Sequence, residues 1–348
     1  MTITADAPVV TGLRAAIDRL PRAMLGNFPT PLDGAPRLSE ALGGPRILIK
    51  RDDLTGLAFG GNKTRKLEFN LGEALQRGVD VVVGTAAAQS NHCRQAAAAA
   101  ARYGLDCHLL LRGGRKDAGP PQGNLLLDHL LGARVRLLYG EELARIQEIV
   151  GAYMDELWAQ GRRPYQIMNT LESDLLGAVA YAGAFLELQG QLEARGARAS
   201  RLYVASLGGT GGGLTLAARL VAPWLRVVCF TPMDSVVVRR PKMLAEANAA
   251  AEHLGIGARL SEADITMHDE YIGPAYGVPT PEGMEAMRLV ARTEGIILDP
   301  IYTAKAMAGL IDHVRRGIIG REETVVFVHT GGLPVLFAYN EELTASLA

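Results

Sequence analysis

The sequence predicts an α/β protein in which a mostly parallel sheet lies buried beneath helices on both faces. Three observations carry the prediction. Short β-branched and apolar runs alternate with helix-favouring stretches over most of the chain. Runs such as Val81-Val82-Val83, Leu109-Leu110-Leu111 and Val325-Val326-Phe327 are apolar at successive positions rather than at every second one, the pattern of strands covered on both faces. The 348 residues leave room for a large core and two domains, with no internal repeat and no low-complexity linker between them.

Taken in order, residues 12–20 read as a helix, and a proline-rich entry at Pro29-Thr30-Pro31 leads to a short helix over 38–42. A strand over 47–50 ends at Arg51-Asp52-Asp53, and a helix follows over 64–77. The alternation continues as strand 79–83, helix 96–103, strand 105–111, helix 124–131, strand 135–138, helix 141–158, strand 165–168 and helix 175–192. The third quarter gives strand 202–206, a glycine loop, helix 214–221, strand 227–231 and a helix over 242–254. Helices over 282–293 and 304–315 and a last strand over 324–328 complete the pattern.

Composition narrows the function. A formal net charge of −1 gives no electrostatic case for nucleic acid or for an anionic membrane surface. No run of about 18 apolar residues reads as a membrane span, and the opening MTITADAPVV lacks the basic and apolar regions of a signal peptide. The three cysteines, Cys93, Cys107 and Cys229, are odd in number and show no CxxC spacing. Neither a metal site nor a disulfide framework is expected, and a reducing cytoplasm fits.

Ligands of such sheets gather at the carboxyl ends of strands, where three polar or glycine-rich clusters fall. Before them stands Gly60-Gly61-Asn62-Lys63-Thr64, a lysine on a glycine-rich turn where backbone can approach a ligand closely. Lys63 is open to three readings: a solvated side chain, a phosphate-loop lysine, or a Schiff-base lysine. Gly56 and Gly61 have the phosphate-loop spacing, but Asn62 intrudes before Lys63-Thr64.

The first cluster, Gln89-Ser90-Asn91-His92, opens the helix after strand 79–83. Ser90 and Asn91 suit an N-cap, yet four polar side chains exceed what capping needs, and a helix N-terminus there would also receive a carboxylate. No Gly-x-Ser-x-Gly surrounds Ser90, which counts against a serine hydrolase. The second, Ser206-Leu207-Gly208-Gly209-Thr210-Gly211-Gly212-Gly213, joins strand to helix as a cradle for phosphate through backbone donors. It departs from GxGxxG, and no acidic residue closes strand 227–231 to hold a ribose, so a nicotinamide cofactor is a poor fit. The third comprises Asp299-Pro300-Ile301-Tyr302-Thr303, with Tyr271 and Tyr276 upstream and His329-Thr330-Gly331-Gly332 downstream; isolated tyrosines in such loops are usually packing residues. A phosphate cradle, a separate lysine and a carboxylate site together suit pyridoxal phosphate, which needs a lysine to join, an anchor for its phosphate and a group to fix its ring.

These segments carry a family resemblance. GGNKTRKLEF, QSNHCRQAAAAAARYGL, DEYIGPAYGVP, ARTEGIILDPIYTAKAMAGLIDHVR and VVFVHTGG resemble the D-cysteine desulfhydrase and 1-aminocyclopropane-1-carboxylate (ACC) deaminase family over about residues 29–339. The resemblance implies pyridoxal phosphate fold type II: two domains, each with a mostly parallel sheet covered by helices, and the active site between them. Residues 1–60 with 176–348 would form the large cofactor-binding domain and 61–175 the small one.

The resemblance further implies that Lys63 is the Schiff-base lysine and shuttles the Cα proton. Asn91 would bond the cofactor's phenolate oxygen. Ser90, Asn91 and His92 would meet the substrate carboxylate, with Ser90 a candidate acid–base. Gly208, Gly209, Thr210, Gly211 and Gly212, with Gly213 closing the loop, would hold the phosphate. Tyr276 and Tyr302 match the family's two active-site tyrosines, Tyr276 also touching substrate, and Thr303 and Thr330 would lie near the pyridine nitrogen. The expected reaction is β-elimination from a small amino acid such as D-cysteine by a cytoplasmic homodimer. ACC deamination and L-cysteate sulfo-lysis are the alternatives, and a non-catalytic cofactor- or nucleotide-binding module is the reading from another class. Two segments depart from the family. Met168-Asn169-Thr170-Leu171-Glu172-Ser173 replaces a GGSN-like turn, and the glycine loop is one residue shorter. Thr303 stands where ACC deaminases carry a glutamate, which favours simple elimination over ring opening.

Overall fold

The computed structural model describes residues 7–113 and 119–345. Its strands are β1 (Leu32–Gly34), β2 (Arg46–Lys50), β3 (Val81–Gly84), β4 (Asp106–Arg112), β5 (Arg134–Leu138), β6 (Pro164–Gln166), β7 (Arg201–Ala205), β8 (Arg226–Phe230), β9 (Thr266–His268) and β10 (Thr324–Val328). They form a six-stranded sheet in the order β1-β2-β10-β7-β8-β9 and a four-stranded sheet in the order β5-β4-β3-β6. Every pairing is parallel except the edge strand β1 against β2.

The helices are α1 (Ala7–Asp18), α2 (Pro36–Ala41), α3 (Lys63–Gln76), α4 (Asn91–Tyr103), α5 (Gly123–Leu130), α6 (Ile146–Ala159), α7 (Leu171–Ala194), α8 (Gly209–Val221), α9 (Val236–His253), α10 (Pro281–Glu294), α11 (Thr303–Arg315) and α12 (Asn340–Ala345).

Strand side chains divide between two cores, as successive Cβ atoms must. In the larger sheet Leu48, Leu202, Val204, Val326 and Val328 join the core under α7, α8 and α9. Ile47, Ile49, Tyr203, Val325 and Phe327 join the opposite core under α10 and α11. The smaller sheet repeats the arrangement, with Val82, Leu109 and Leu111 on one face and Val81, Val83 and Leu110 on the other. Burial on both faces is why its strands read as continuous apolar runs.

The structure departs from the sequence reading at the ends of elements. Strands β1 and β9 are three-residue edge strands without a β-branched run, and α12 was likewise unmarked. Helix α9 begins at Val236 and carries Pro241 in its second turn, although proline there forfeits a backbone bond and usually reads as a boundary. Helix α7 starts at Leu171 because Thr170 caps it, accepting from Ser173 N at 3.1 Å. The largest correction concerns the glycine run. Residues 209–213 are not a loop but the first turn of α8. A Cβ on Gly213 would lie 2.0 Å from the carbonyl oxygen of Ala178, so glycine here lets α8 pack backbone-close to α7.

Candidate active site

The carboxyl ends of β3, β7 and β10 open into one cavity of about 300 Å³. Residues 85–87 and 90–92 after β3, residues 205–210 after β7 and Thr330-Gly331 after β10 line it, together with Lys63, Tyr276 and Tyr302.

Lys63 is the first residue of α3. The chain before it is held against the β10 loop: Asn62 N donates to Thr330 O at 3.0 Å, and a Cβ on Gly331 would lie 2.6 Å from the Cα of Gly61. Two glycines are required because backbone meets backbone. Arg94 and Gln95, both fully buried in α4, donate to Gly60 O at 2.8 and 2.7 Å and tie the turn to the smaller sheet. Lys63 Nζ donates to Asn62 Oδ1 at 3.0 Å, and Asn62 Nδ2 donates onward to Thr210 Oγ1 at 3.1 Å. Burial, aided by the like charges of Lys66 and Arg94, lowers Lys63 to about 7. Near neutral pH a large share of Lys63 is therefore an uncharged amine, able to act as nucleophile or base.

Ser90 caps α4, its Oγ accepting from His92 N and Cys93 N at 3.2 Å each. Asn91 Oδ1 is fixed by Asn124 Nδ2 at 2.9 Å and Arg94 at 3.3 Å. His92 is buried and its Nε2 has no partner among the described residues. Burial and the nearby charges of Lys66 and Lys63 push His92 well below its usual value, so the ring is neutral. Tyr276 and Tyr302 share a hydrogen bond of 2.7 Å between hydroxyls, with their rings edge to face. Burial raises both, with Tyr276 adding to the effect on Tyr302, and both phenols stay protonated at neutral pH.

Of the residues singled out from sequence, Lys63, Ser90, Asn91, His92, Gly208, Gly209, Thr210, Tyr276, Tyr302 and Thr330 line the cavity. Three others do not. Gly211 N–H is taken by Ser206 Oγ at 2.8 Å and Gly212 N–H by Gly208 O at 3.0 Å, because both already belong to the helix. Thr303 is fully buried away from the cavity: its Oγ1 donates to Asp299 Oδ1 at 2.6 Å and accepts from Asp299 N at 2.7 Å. Its hydroxyl is engaged by the loop at Asp299.

The cavity also holds Met168 and Asn169 of the segment that departs from the family, and three residues that the sequence reading passed over, Lys66, Asp174 and Glu246. Lys66 lies one helical turn beyond Lys63 and pairs with Asp174 at 2.7 Å; the i, i+3 spacing was the available signal. Asn169, in the left-handed conformation at φ +64°, donates to Thr85 O at 2.7 Å. Asp174 and Glu246 arrive from α7 and α9, long helices that carry no local signature of a site.

The chain matches the family described as pyridoxal-phosphate dependent enzyme over residues 23–331. It belongs to that family. D-cysteine desulfhydrase of Klebsiella pneumoniae (strain 342) is 42% identical over 330 residues, covering 94% of this chain and 98% of that one. D-cysteine desulfhydrase of Salmonella newport (strain SL254) is 40% identical over 327 residues, covering 93% and 98%. The crystal structure of an ACC deaminase homologue superposes with a TM-score of 0.87 at 35% identity, covering 96% of this chain and 99% of that one. The processed form of threonine deaminase isoform 2 from Solanum lycopersicum shares the fold, with a TM-score of 0.66 at 17% identity.

This pyridoxal-phosphate enzyme has a cavity suited to its cofactor. Lys63 supplies an amine that burial keeps partly uncharged. The start of α8 supplies a side-chain-free approach at Gly208 and Gly209, beside the hydroxyl of Thr210, for an anionic group. No helix among the described residues is long and apolar enough to cross a membrane.

Proposed function

We propose that this chain is a lyase that carries out β-elimination on a small amino acid, D-cysteine fitting best, to give pyruvate, ammonia and sulfide. The observation that carries the reading is the opening, onto one cavity, of an amine lowered to about 7 and a hydrogen-bonded pair of protonated tyrosines. When bound, pyridoxal phosphate acts as an electron sink for a substrate amine and so acidifies its Cα–H.

The chain's own groups divide the remaining work. Lys63 Nζ takes the Cα proton and holds it, with Asn62 Oδ1 as its hydrogen-bond acceptor. One hydroxyl of the Tyr276–Tyr302 pair donates a proton to the departing β-substituent, and the other supports the oxygen left behind. The start of α4, with Ser90, Asn91 and the neutral His92, orients the substrate carboxylate, and the helix dipole favours that charge. Ser90 Oγ already accepts two N–H bonds, which suits it to donating a bond to the carboxylate. Gly208–Thr210 and Lys66 would hold the phosphate, and Thr330 would lie on the ring's side of the cavity.

Further parts of the reading concern setting. The smaller sheet draws all its strands from residues 81–166, in support of a small domain over 61–175 and a large one over 1–60 with 176–348. The three cysteines are buried and unpaired, in keeping with a reducing cytoplasm. Family resemblance supports a homodimer acting on a free amino acid rather than on nucleic acid or membrane.

A second reading, opening of the ACC ring, is favoured by the likeness to the ACC deaminase homologue. Incubating the purified protein with D-cysteine, L-cysteine, L-cysteate and ACC separates the readings. Sulfide and pyruvate from D-cysteine are expected. Release of 2-oxobutyrate from ACC without sulfide from D-cysteine would transfer the assignment, and cofactor binding without turnover of any of the four would make the protein a binding module.

A further inference from the structure

The start of α8, read as the phosphate cradle, already faces an acidic side chain of the protein's own. Glu246 reaches it from α9, with its side chain 4% exposed and lining the cavity. Its carboxylate faces the backbone of Gly208 and Gly209. The approach is so close that a Cβ on Gly208 would lie 2.3 Å from Glu246 Oε2. A mid-helix glutamate normally points to solvent. This one is buried against the positive end of α8, in the space a phosphate oxygen would use.

The charges that face Glu246 come from three helices. Asp174 approaches from α7, Lys66 from α3 and Lys242 from its own helix, while the start of α8 presents only Gly208 and Gly209. Lys66 pairs with Asp174 at 2.7 Å, and Lys242 lies 3.7 Å from Asp174 and 3.8 Å from Glu246. With both acids ionised, these two lysines and two carboxylates cancel, and Arg239 of α9, also in the lining, is paired with Asp234, so little positive charge is left over for a doubly charged phosphate.

We infer that Glu246 takes up one proton from solvent as the phosphate enters the cradle, and then donates its O–H to a phosphate oxygen. No other bond changes, and the neutral acid replaces a repulsion with a hydrogen bond. Binding of the cofactor is thereby coupled to proton uptake at a residue that takes no part in the chemistry at Cα. The inference rests on the reading of Gly208–Thr210 as the phosphate cradle. The proton is readily gained, since burial, and next the charge of Asp174, raise the carboxyl to about 7.

Pyridoxamine 5′-phosphate tests this, because it carries the phosphate and ring but has no aldehyde to join Lys63. Its Kd for the full chain is measured calorimetrically from about pH 6 to about pH 9, for the native protein and for Glu246→Gln, whose amide keeps a donor and cannot ionise. The ratio of the native Kd to that of the variant cancels the ligand's own titration. It is expected to rise by about tenfold per pH unit above neutrality, the limiting slope for one proton. A second measurement needs no variant. At about pH 8, the infrared difference between ligand-loaded and free native protein is expected to gain a protonated-carboxyl band, and the ligand itself has no carboxyl. A flat ratio or a missing band overturns the proton uptake. Failure of the ligand to bind at any pH overturns the cradle as well, whereas turnover of D-cysteine is assayed separately and stands on its own result.

Discussion

Thr303 Oγ1 and Asp299 Oδ1 are 2.6 Å apart, and the pair braces the loop that carries Tyr302. Asp299 Oδ2 accepts from the amides of Ile301 and Tyr302 at 2.9 Å each, and Oδ1 accepts from Thr303 N at 2.9 Å. A single buried carboxylate thus gathers the amides that lead into α11, and the threonine hydroxyl completes its shell. Thr303→Val is expected to cost about 1–3 kcal/mol, because it strips a buried carboxylate and a buried amide of one partner each. Turnover should fall with little change in KM, as Tyr302 loses its placement. Thr303→Ser should restore both, and thermal melting with steady-state kinetics checks the pair. A Val variant as stable and active as the native protein would remove the brace.

Lys63 joins the cofactor only as a neutral amine, so loading should follow its ionisation. Burial, then Lys66, lower it to about 7. Below that value the charged form dominates, and the loading rate should drop about tenfold per pH unit; above it the rate should level off. Removing the Lys66 charge in Lys66→Met relieves one of the causes of the depression, so the half-rise should move to higher pH. Lys63→Ala should show neither the visible absorbance of the loaded enzyme nor turnover. Absorbance followed over time across pH reads all three proteins, and an unmoved midpoint in the Lys66 variant would separate the two lysines electrostatically.

The hydroxyls of Tyr276 and Tyr302 differ in their supports. Tyr302 belongs to the Asp299 brace, while Tyr276 lies in the loop before α10 and meets Tyr302 at 2.7 Å. Loss of a general acid typically costs about 10²–10⁴-fold. The phenylalanine variant of the donating tyrosine should lose turnover by that order for a poor leaving group. It should lose much less for β-chloroalanine, whose chloride leaves without a proton. Comparing D-cysteine with β-chloro-D-alanine in both variants identifies the donor. Equal losses on the two substrates would assign the hydroxyls to binding instead.

How much of this was legible in the sequence depends on where each signal lies. The parallel sheets were legible because strands covered on both faces must be apolar at every position, and their carboxyl ends then pointed to the ligand loops. Lys63, Ser90–His92 and Thr210 sit at such ends, beside glycines or caps that leave a local mark. The partner of Thr303 was not legible, because only the fold shows that Asp299 engages the hydroxyl next to Tyr302. The helical state of residues 209–213 was not legible, because a glycine run looks the same whether backbone must meet phosphate or meet another helix. Asp174 and Glu246 were missed for a different reason: each sits within a long helix, and only the packing of α7 and α9 around the start of α8 turns them inward.

Gly213 gives a test of that packing. Its Cβ position lies 2.0 Å from Ala178 O and 2.8 Å from Ala178 C, both backbone atoms inside α7 that cannot swing aside. Gly213→Ala should force α7 and α8 apart and cost at least the upper part of the 1–3 kcal/mol range of about one overpacked methyl. It should also weaken pyridoxamine 5′-phosphate binding, because Gly209 at the cradle rests on the same helix, its own Cβ position 3.0 Å from Ala178 N. Gly183→Ala in α7 is the control. The nearest atoms there are the side chain of Ile17 at 3.8 Å, so the variant should gain up to about 1 kcal/mol from helix propensity. Melting temperatures moving in opposite directions are expected. A Gly213 variant that melts like the native protein and keeps its affinity would show that the glycine run is not there to bring the two helices together.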